Sequence, residues 1–213
     1  MTGSARERAR RWGILLGMTF VVALGVALLV LMLYRPAQQP LEMGGGAAPV
    51  GLHVSLAESV TAQSVYPSAM DVAQSWQPDG QLAIVSARWR PRRGRWPSDV
   101  TWMFQFYSPT VRRLAVIVVN GGRARLLQET AVPYSLSTFS EDDWQVDSLA
   151  ALDTWWNAGG ATFMSVYSEI DLVAQLRVLE GKDDRLAWTI TGIAGGQMRN
   201  LIVDGTTGER VQD

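Results

Sequence analysis

The chain has 213 residues, a formal net charge of −1 and 47% hydrophobic residues, and it contains no cysteine and a single histidine, His53. These counts exclude a disulfide framework, Cys-His catalysis and the usual zinc ligand sets. A Ser-His-Asp triad also lacks support, because His53 lies between Leu52 and Val54 and has no acidic neighbour before Glu58.

The first element is an uncharged run of 23 residues, 12–34, which follows a basic tail, 1–11. As a helix this run would extend roughly 34 Å, enough to cross a bilayer core of about 30 Å. Because positive charge is retained inside, we predict a cytoplasmic tail, a single transmembrane helix acting as an uncleaved signal anchor, and an extracytoplasmic remainder. The alternative is a cleaved signal peptide, whose apolar region would be shorter, about 7 to 15 residues.

A linker and a first folded unit follow the apolar run. Residues 35–51 are rich in Pro, Gly, Ala and Gln and predict a spacer. The first unit, 52–132, is predicted to begin with a short helix that carries Pro67 in its first turn and an apolar stripe ending at Trp76. Four strands are predicted after it, with a hairpin turn at Asn120-Gly121 between the last two; they cover 82–90, 101–107, 114–119 and 123–128.

The second unit, 133–213, repeats this order of elements. Asp147 is the predicted N-cap of a helix that breaks at Gly159-Gly160, and a further helical turn ends near Tyr167. Trp102 and Trp188 occupy matching places in the second strand of each unit, which predicts a tandem repeat. The remaining strands are predicted at 170–179, 186–193 and 198–204.

Two segments near the C-terminus resemble the end of a PepSY domain: WTIT at 188–191 and LIVDGTTGERV at 201–211. The first unit carries a degenerate form, with Trp102 but without the Thr-Gly pair. The resemblance implies an α+β fold of two helix-on-antiparallel-sheet (PepSY/cystatin-like) units after the transmembrane helix. It also implies function by binding, as in the propeptide members that restrain a peptidase, and it supplies no catalytic residues.

Acidic clusters and glycines give no sign of a metal or phosphate site. The clusters at 141–143 and 183–184 lack the alternating oxygen ligands and the glycine of a calcium loop, so we expect solvated turns. The glycine-containing segments at 120–122 and 192–196 do not open helices, which indicates hairpin turns rather than phosphate loops. We therefore expect no catalytic residue, no metal and no cofactor.

The segment 88–96, RWRPRRGRW, is the predicted contact site. Arginine forks bind carboxylate and phosphate, and tryptophan favours membrane interfaces, whereas nucleic acid does not suit the compartment. In the alternative, the arginines form a solvated hairpin tip or pair with the acidic second half of the chain. The predicted partner-binding residues are Arg88, Arg90, Arg92, Arg93, Arg95 and Trp96.

Nine tryptophans are present, and most are predicted to lie in the core. Three lack a predicted inward face and would mark a contact surface if they were exposed together: Trp96, Trp144 and Trp155. The predicted core members are Trp76, Trp89, Trp102, Trp156 and Trp188.

The sequence thus predicts a single-pass, extracytoplasmic, noncatalytic binding protein at the cytoplasmic membrane of a prokaryote. Its predicted partner is another protein, such as a peptidase or a membrane complex, and not nucleic acid. Two alternatives stay open: an accessory single-pass subunit of a membrane complex, and a carboxylate-based cell-wall or peptide hydrolase. Acids converging in a closed pocket would favour the enzyme, and a shallow surface with exposed aromatics would favour binding.

Overall fold

An antiparallel sheet organises the structure, a computed structural model that describes residues 60–91, 97, 100–181 and 184–211. Each strand pairs with its neighbours in the order β4-β3-β2-β1-β5-β6-β7, so β4 and β7 form the edges. The strands are β1 (Gln81–Trp89), β2 (Trp102–Ser108), β3 (Arg113–Asn120), β4 (Arg123–Ala131), β5 (Asp171–Leu179), β6 (Arg185–Ala194) and β7 (Gln197–Asp204).

The prediction of two helix-on-sheet units is wrong, because the strands of both halves belong to one seven-stranded sheet. The two halves join where β1 pairs with β5, in antiparallel register from Ile84↔Arg177 to Trp89↔Leu172. Each of these strands would otherwise present a row of unpaired N–H and C=O groups. Pairing them satisfies those groups and makes the apolar face of the sheet continuous.

The first helix, α1 (Ala62–Trp76), begins earlier than its sequence predicts. Thr61 is its N-cap and accepts a hydrogen bond from the Ser64 backbone N–H at 3.2 Å. Pro67 therefore lies inside the helix and not in the first turn. Proline lacks a backbone N–H, so the helix loses one hydrogen bond there and is retained by the packing of its apolar side on the sheet.

The second helical region consists of α2 (Ser148–Trp155), a π-helical segment (Trp156–Gly160) with a kink at Gly159, and α3 (Ala161–Val166). Asp147 caps α2 as predicted, because its side chain accepts from the Ser148 backbone N–H at 2.6 Å. Gly159 has φ 104°, a value that L side chains rarely adopt, and it turns the chain between the two helices.

Both helical regions pack on the same face of the sheet, around a core rich in aromatic rings. Trp89, Trp102 and Trp188 are at most 2% exposed, as predicted, and so are Trp144 and Trp155. Trp144 and Trp155 are not exposed and so do not mark a contact surface; they fill the space between the helices and the sheet. Trp76 and Trp156 are partly buried against the same core, and Trp96 lies outside the described residues.

The opposite face of the sheet carries no helix within the described ranges. A small cluster of Ala83, Tyr107 and Val132 covers one end of it. Elsewhere it presents half-buried polar and aliphatic side chains, among them Gln105, Gln175 and Thr189.

The membrane-spanning helix predicted at 12–34 lies outside the described residues, as do the tail 1–11, the linker 35–51 and His53. Within the part of the chain that the structure describes, no helix has the length and apolar character needed to cross a bilayer.

Candidate functional site

Two of the predicted contact arginines converge on one carboxylate at the end of the sheet. Arg88, on β1, donates from Nε to Asp171 Oδ1 at 3.1 Å and approaches the same oxygen with a terminal nitrogen at 2.7 Å. Arg90, just after β1, donates from Nε to that oxygen at 2.9 Å. Asp171 belongs to the first position of β5, so the cluster ties the two central strands together.

The pairing fixes the charge state of Asp171. Partial burial opposes its ionisation, but hydrogen bonds and charge from Arg88, and then from Arg90, outweigh burial and hold the pKa of Asp171 below its ordinary value of 3.8. The Arg88 side chain is only 13% exposed. This is the pairing with the acidic second half that the sequence alternative describes. Arg92, Arg93, Arg95 and Trp96 lie outside the described residues, and their predicted contact role stays a prediction.

A cavity of about 330 Å³ opens between α3 and the start of β7. Its helical side is lined by Phe163, Val166 and Tyr167, and its sheet side by Gln197, Met198 and Arg199. The rings of Phe163 and Tyr167 lie against each other, with centroids 5.0 Å apart. Its lining, as far as the described residues form it, holds neither a carboxylate nor a histidine. The cavity therefore offers apolar contact, an amide and a guanidinium, but no group for proton transfer at neutral pH.

Three exposed aliphatic side chains lie at this end of the sheet, and we call them the apolar rim: Val166 and Met198, which line the cavity, and Ile193, which pairs with Met198. Val166 is 67% exposed and Met198 is 69% exposed, while Ile193 is 46% exposed. Ile193 and Met198 are paired residues on β6 and β7, so their side chains stand side by side on one face of the sheet. Large apolar side chains grouped in this way are typical of contact surfaces.

Arg199 closes one end of the cavity. Its guanidinium donates a hydrogen bond to the carbonyl of Ala158 in the π-helical segment. It lies directly against Gly159, where a Cβ atom would collide with it. The positive φ and the close approach at Gly159 together explain why a glycine stands at this break. Arg199 is thereby fixed to the helical wall.

The cavity and the arginine cluster occupy the same end of the sheet. Asp171 pairs with Ile193 across β5 and β6, and the backbone N–H of Ile170 donates to the carbonyl of Pro91 at 3.4 Å. Pro91 therefore lies beside Ile170, the residue before β5.

The Thr-Gly-Glu motif that resembles a PepSY domain has a structural role here. Asp204 Oδ1 accepts hydrogen bonds from the backbone N–H groups of Thr206 and Thr207, each at 2.9 Å. Partial burial opposes ionisation, but the Thr207 and Thr206 donors outweigh it and lower the pKa of Asp204. This turn sends the chain back along β7, where Val203 and Arg210 form an antiparallel bridge.

Sequence reasoning did not identify Asp171 as the partner of Arg88 and Arg90, or the cavity. A signal was available for the cavity, since Gly159-Gly160 precedes α3 and Gly195-Gly196 precedes β7, and both were interpreted only as breaks and turns. The acidic cluster 141–143 forms a short 3-10 helix. Among the described residues, no group of three or more acidic, histidine or cysteine side chains could hold a metal ion.

No family model matches the chain. No curated protein matches it either. Among solved structures, it is similar to a Clostridium difficile 630 protein described as a "putative lipoprotein", at 10% sequence identity and a TM-score of 0.47, covering 69% of this chain and 90% of that chain.

Proposed function

We propose that the protein is a noncatalytic binding protein held at the outer surface of the cytoplasmic membrane, and that it contacts another protein there. The observation that carries this proposal is the apolar rim around a cavity lined by aromatic, amide and guanidinium groups. Val166 and Met198 are the two most exposed of the large hydrophobic side chains that the structure describes. A partner would remove this apolar surface from water, which is the main favourable term in association.

The chemistry of the site supports binding over hydrolysis. A carboxylate-based hydrolase needs an acid with a raised pKa and a second carboxylate across a cleft. The carboxylate at this end of the sheet, Asp171, has a lowered pKa and is neutralised by two arginines. Its role is to position strands, because Arg88 and Arg90 both donate to its Oδ1 atom.

The location follows from the sequence. The apolar segment 12–34 attaches the chain to the membrane, and the basic tail before it keeps the N-terminus inside. A peptidase or a membrane complex at the same surface is the class of partner that we propose. The resemblance of residues 188–191 and 201–211 to a PepSY domain supports this choice, because propeptide members of that family bind and restrain peptidases.

Site-specific photo-crosslinking in cells tests the proposal. A photoreactive amino acid at Val166 or at Met198 is expected to give a discrete, reproducible adduct with one protein on the outer surface. The matched control is the same amino acid at Leu127 on β4, which is also exposed (43%) but lies on the opposite edge of the sheet. Equal labelling from all three positions, or labelling by lipid alone, would refute the proposal.

A charge reversal separates the arginine-rich segment from the cavity. Arg92→Glu combined with Arg93→Glu is expected to weaken the crosslink from Met198 and to leave the thermal unfolding midpoint unchanged, because the sequence predicts both arginines in a loop between strands. An unchanged adduct yield would show that Arg92 and Arg93 do not contact the partner, and it would leave the cavity as the contact.

A further inference from the structure

In β7, the backbone N–H and C=O groups of every second residue point away from β6. The hairpin between β6 and β7 turns at Gly195-Gly196, and Ala194 pairs with Gln197. In a two-residue hairpin that pair exchanges both backbone hydrogen bonds, and so do alternate pairs along the strand. The N–H and C=O groups of Met198 and Asn200 therefore face away from β6, toward the open edge.

The chain itself shows what this edge accepts. Val211 donates from its backbone N–H to the carbonyl of Ile202 at 3.0 Å, and Asp204 donates to the carbonyl of Glu209 at 2.8 Å. Ile202 and Asp204, two outward-facing residues of β7, are thus each hydrogen-bonded to an extended segment, 209–211, which runs antiparallel to the strand. The C-terminal half of the edge is already covered by strand addition.

The N-terminal half of the same edge is not covered by any described strand. No strand lies beyond β7 in the described sheet, and Met198 and Asn200 follow Ile202 in the same alternating row. The cavity opens beside this half, since Gln197, Met198 and Arg199 line it together with α3. Within the described residues, the site therefore has backbone donors and acceptors without a partner strand and, next to them, an apolar cavity.

We propose that the N-terminal half of β7 accepts an extended segment of another protein as an additional strand. Residues of that segment opposite Gln197 and Arg199 would direct their side chains toward the helices, as those two residues do, and into the cavity. Residues opposite Met198 and Asn200 would lie on the other face, beside the apolar rim. The partner segment is thus extended, contains no proline, and is apolar at alternate positions. This inference rests on the proposed binding function and names the form of its partner.

A lipid surface fits the same site less well. Exposed Val166 and Met198 could enter a membrane, but the acyl region offers no partner for the backbone groups of Met198 and Asn200, which would lose their hydrogen bonds to water. An extended peptide satisfies these groups and the apolar rim at once. The incoming strand would extend the row of backbone hydrogen bonds that residues 209–211 already form with β7.

Proline substitution tests strand addition directly, because proline removes one backbone N–H. Met198→Pro deletes an outward-facing donor and leaves the bonds between β6 and β7 in place. Ala124→Pro is the matched control, since Ala124 is the second residue after the Gly121-Gly122 turn of the other edge hairpin, as Met198 is after Gly195-Gly196. The φ values of the two Gly-Gly turns are the same, 55° and 74°.

The probe is a phage-displayed library of random octapeptides, selected on the full-length protein in lipid nanodiscs after depletion on empty nanodiscs. Selected peptides are expected to carry apolar residues at alternate positions. Met198→Pro should weaken their binding about tenfold, whereas Ala124→Pro should leave it unchanged. Circular dichroism verifies that both variants are folded.

A backbone scan of the best peptide keeps the test independent of the proline variants. N-methylation of single peptide nitrogens should abolish binding to the wild-type protein at every second position only, because alternate N–H groups face β7. A peptide held by the cavity alone would show no such alternation. Absence of alternation, equal binding to Met198→Pro, or failure to select any peptide would overturn the inference.

Two further results would also overturn it. Self-association of the wild-type protein that Met198→Pro abolishes would assign the edge to a second copy. Flotation with anionic vesicles that depends on Val166 and Met198, without peptide binding, would assign the rim to lipid. Crosslinks from Val166 and Met198 in cells without peptide binding would leave the proposed function standing and remove only the strand addition.

Discussion

The carbonyl of Val146 accepts two buried indole N–H groups, and this arrangement predicts strong coupling between two tryptophans. Trp144 donates from Nε1 at 2.9 Å and Trp188 at 2.8 Å. Either Trp144→Phe or Trp188→Phe removes one donor and leaves the carbonyl hydrogen-bonded. The double variant removes both donors and leaves the buried carbonyl without either of them.

The magnitudes follow from burial. Both rings are at most 2% exposed, so each single substitution loses packing and one hydrogen bond and should cost about 2 kcal/mol of unfolding free energy. The double variant should cost more than the sum of the singles by about 1 to 3 kcal/mol, the penalty of an unsatisfied buried carbonyl.

The assay is urea unfolding of the full-length chain in a mild detergent, followed by far-ultraviolet circular dichroism, with a double-mutant cycle for Trp144 and Trp188. A second cycle on Trp89 and Trp102 is the control: these rings are 5.6 Å apart but share no acceptor. Trp102 donates to the carbonyl of Val60. The control coupling should be smaller, because these two rings touch but their replacement leaves no shared carbonyl without a donor. An equal coupling in the two cycles would refute the role of the Val146 carbonyl.

Two more predictions concern the turn after β7 and the helical break. Because the folded-state pKa of Asp204 lies below its ordinary value of 3.8, its carboxylate stabilises the fold above that range and loses this effect as the pH falls. The stability advantage of the wild type over Asp204→Asn should therefore shrink between about pH 5 and about pH 3 in urea titrations, and a constant difference would contradict the assignment. Gly160→Ala should cost about 1 to 3 kcal/mol, because the added Cβ would collide with the ring of Trp155. Gly181→Ala, where nothing lies within 4 Å of the added Cβ, should change stability by less than about 0.5 kcal/mol, and equal effects of the two would reject the collision.

The strands could be predicted from the sequence because their signals are local. Alternation of apolar and polar side chains placed β1 and β5, and the other five strands, predicted between turn residues, also lie within a few residues of their observed bounds. Turn residues placed the hairpins, at Gly195-Gly196 and, one residue early, at Asn120-Gly121, where the turn is formed by Gly121-Gly122. The capping side chain of Asp147 placed the start of α2. Each of these signals acts through backbone sterics or hydrogen bonds between near neighbours.

The joining of the two halves could not be predicted in the same way. Nothing within β1 or β5 states that their edges meet, since strand pairing depends on residues 83 to 93 positions apart along the chain. The burial of Trp144 is also non-local. Its ring is held by Tyr66 of α1 at 5.9 Å and by Trp188 of β6 at 6.2 Å, and neither neighbour is visible from the sequence around Trp144.

In the candidate site, too, local features could be predicted from the sequence and non-local contacts could not. The sequence singled out Arg88 and Arg90 by composition alone. In the structure both pair with one carboxylate, Asp171, which comes close to them only because β1 and β5 pair. The cavity depends on the π-helical segment and on Arg199 reaching across to it. A side chain that spans two elements leaves no periodic pattern.

The two edge strands, β4 and β7, follow the same kind of turn but carry different side chains. This difference supports β7 as the edge that binds a partner. Both β4 and β7 follow a Gly-Gly turn with the same φ values. On β4 the edge is guarded by charge, because Glu129 pairs with Arg113 at 2.9 Å and accepts a hydrogen bond from the indole of Trp76 at 2.7 Å. Charged side chains of this kind discourage edge-to-edge pairing. At the second residue after the turn, β4 carries Ala124 and β7 carries Met198, which is exposed and lies beside a cavity. The β7 edge is therefore the one that offers a partner both backbone and apolar contacts at this place.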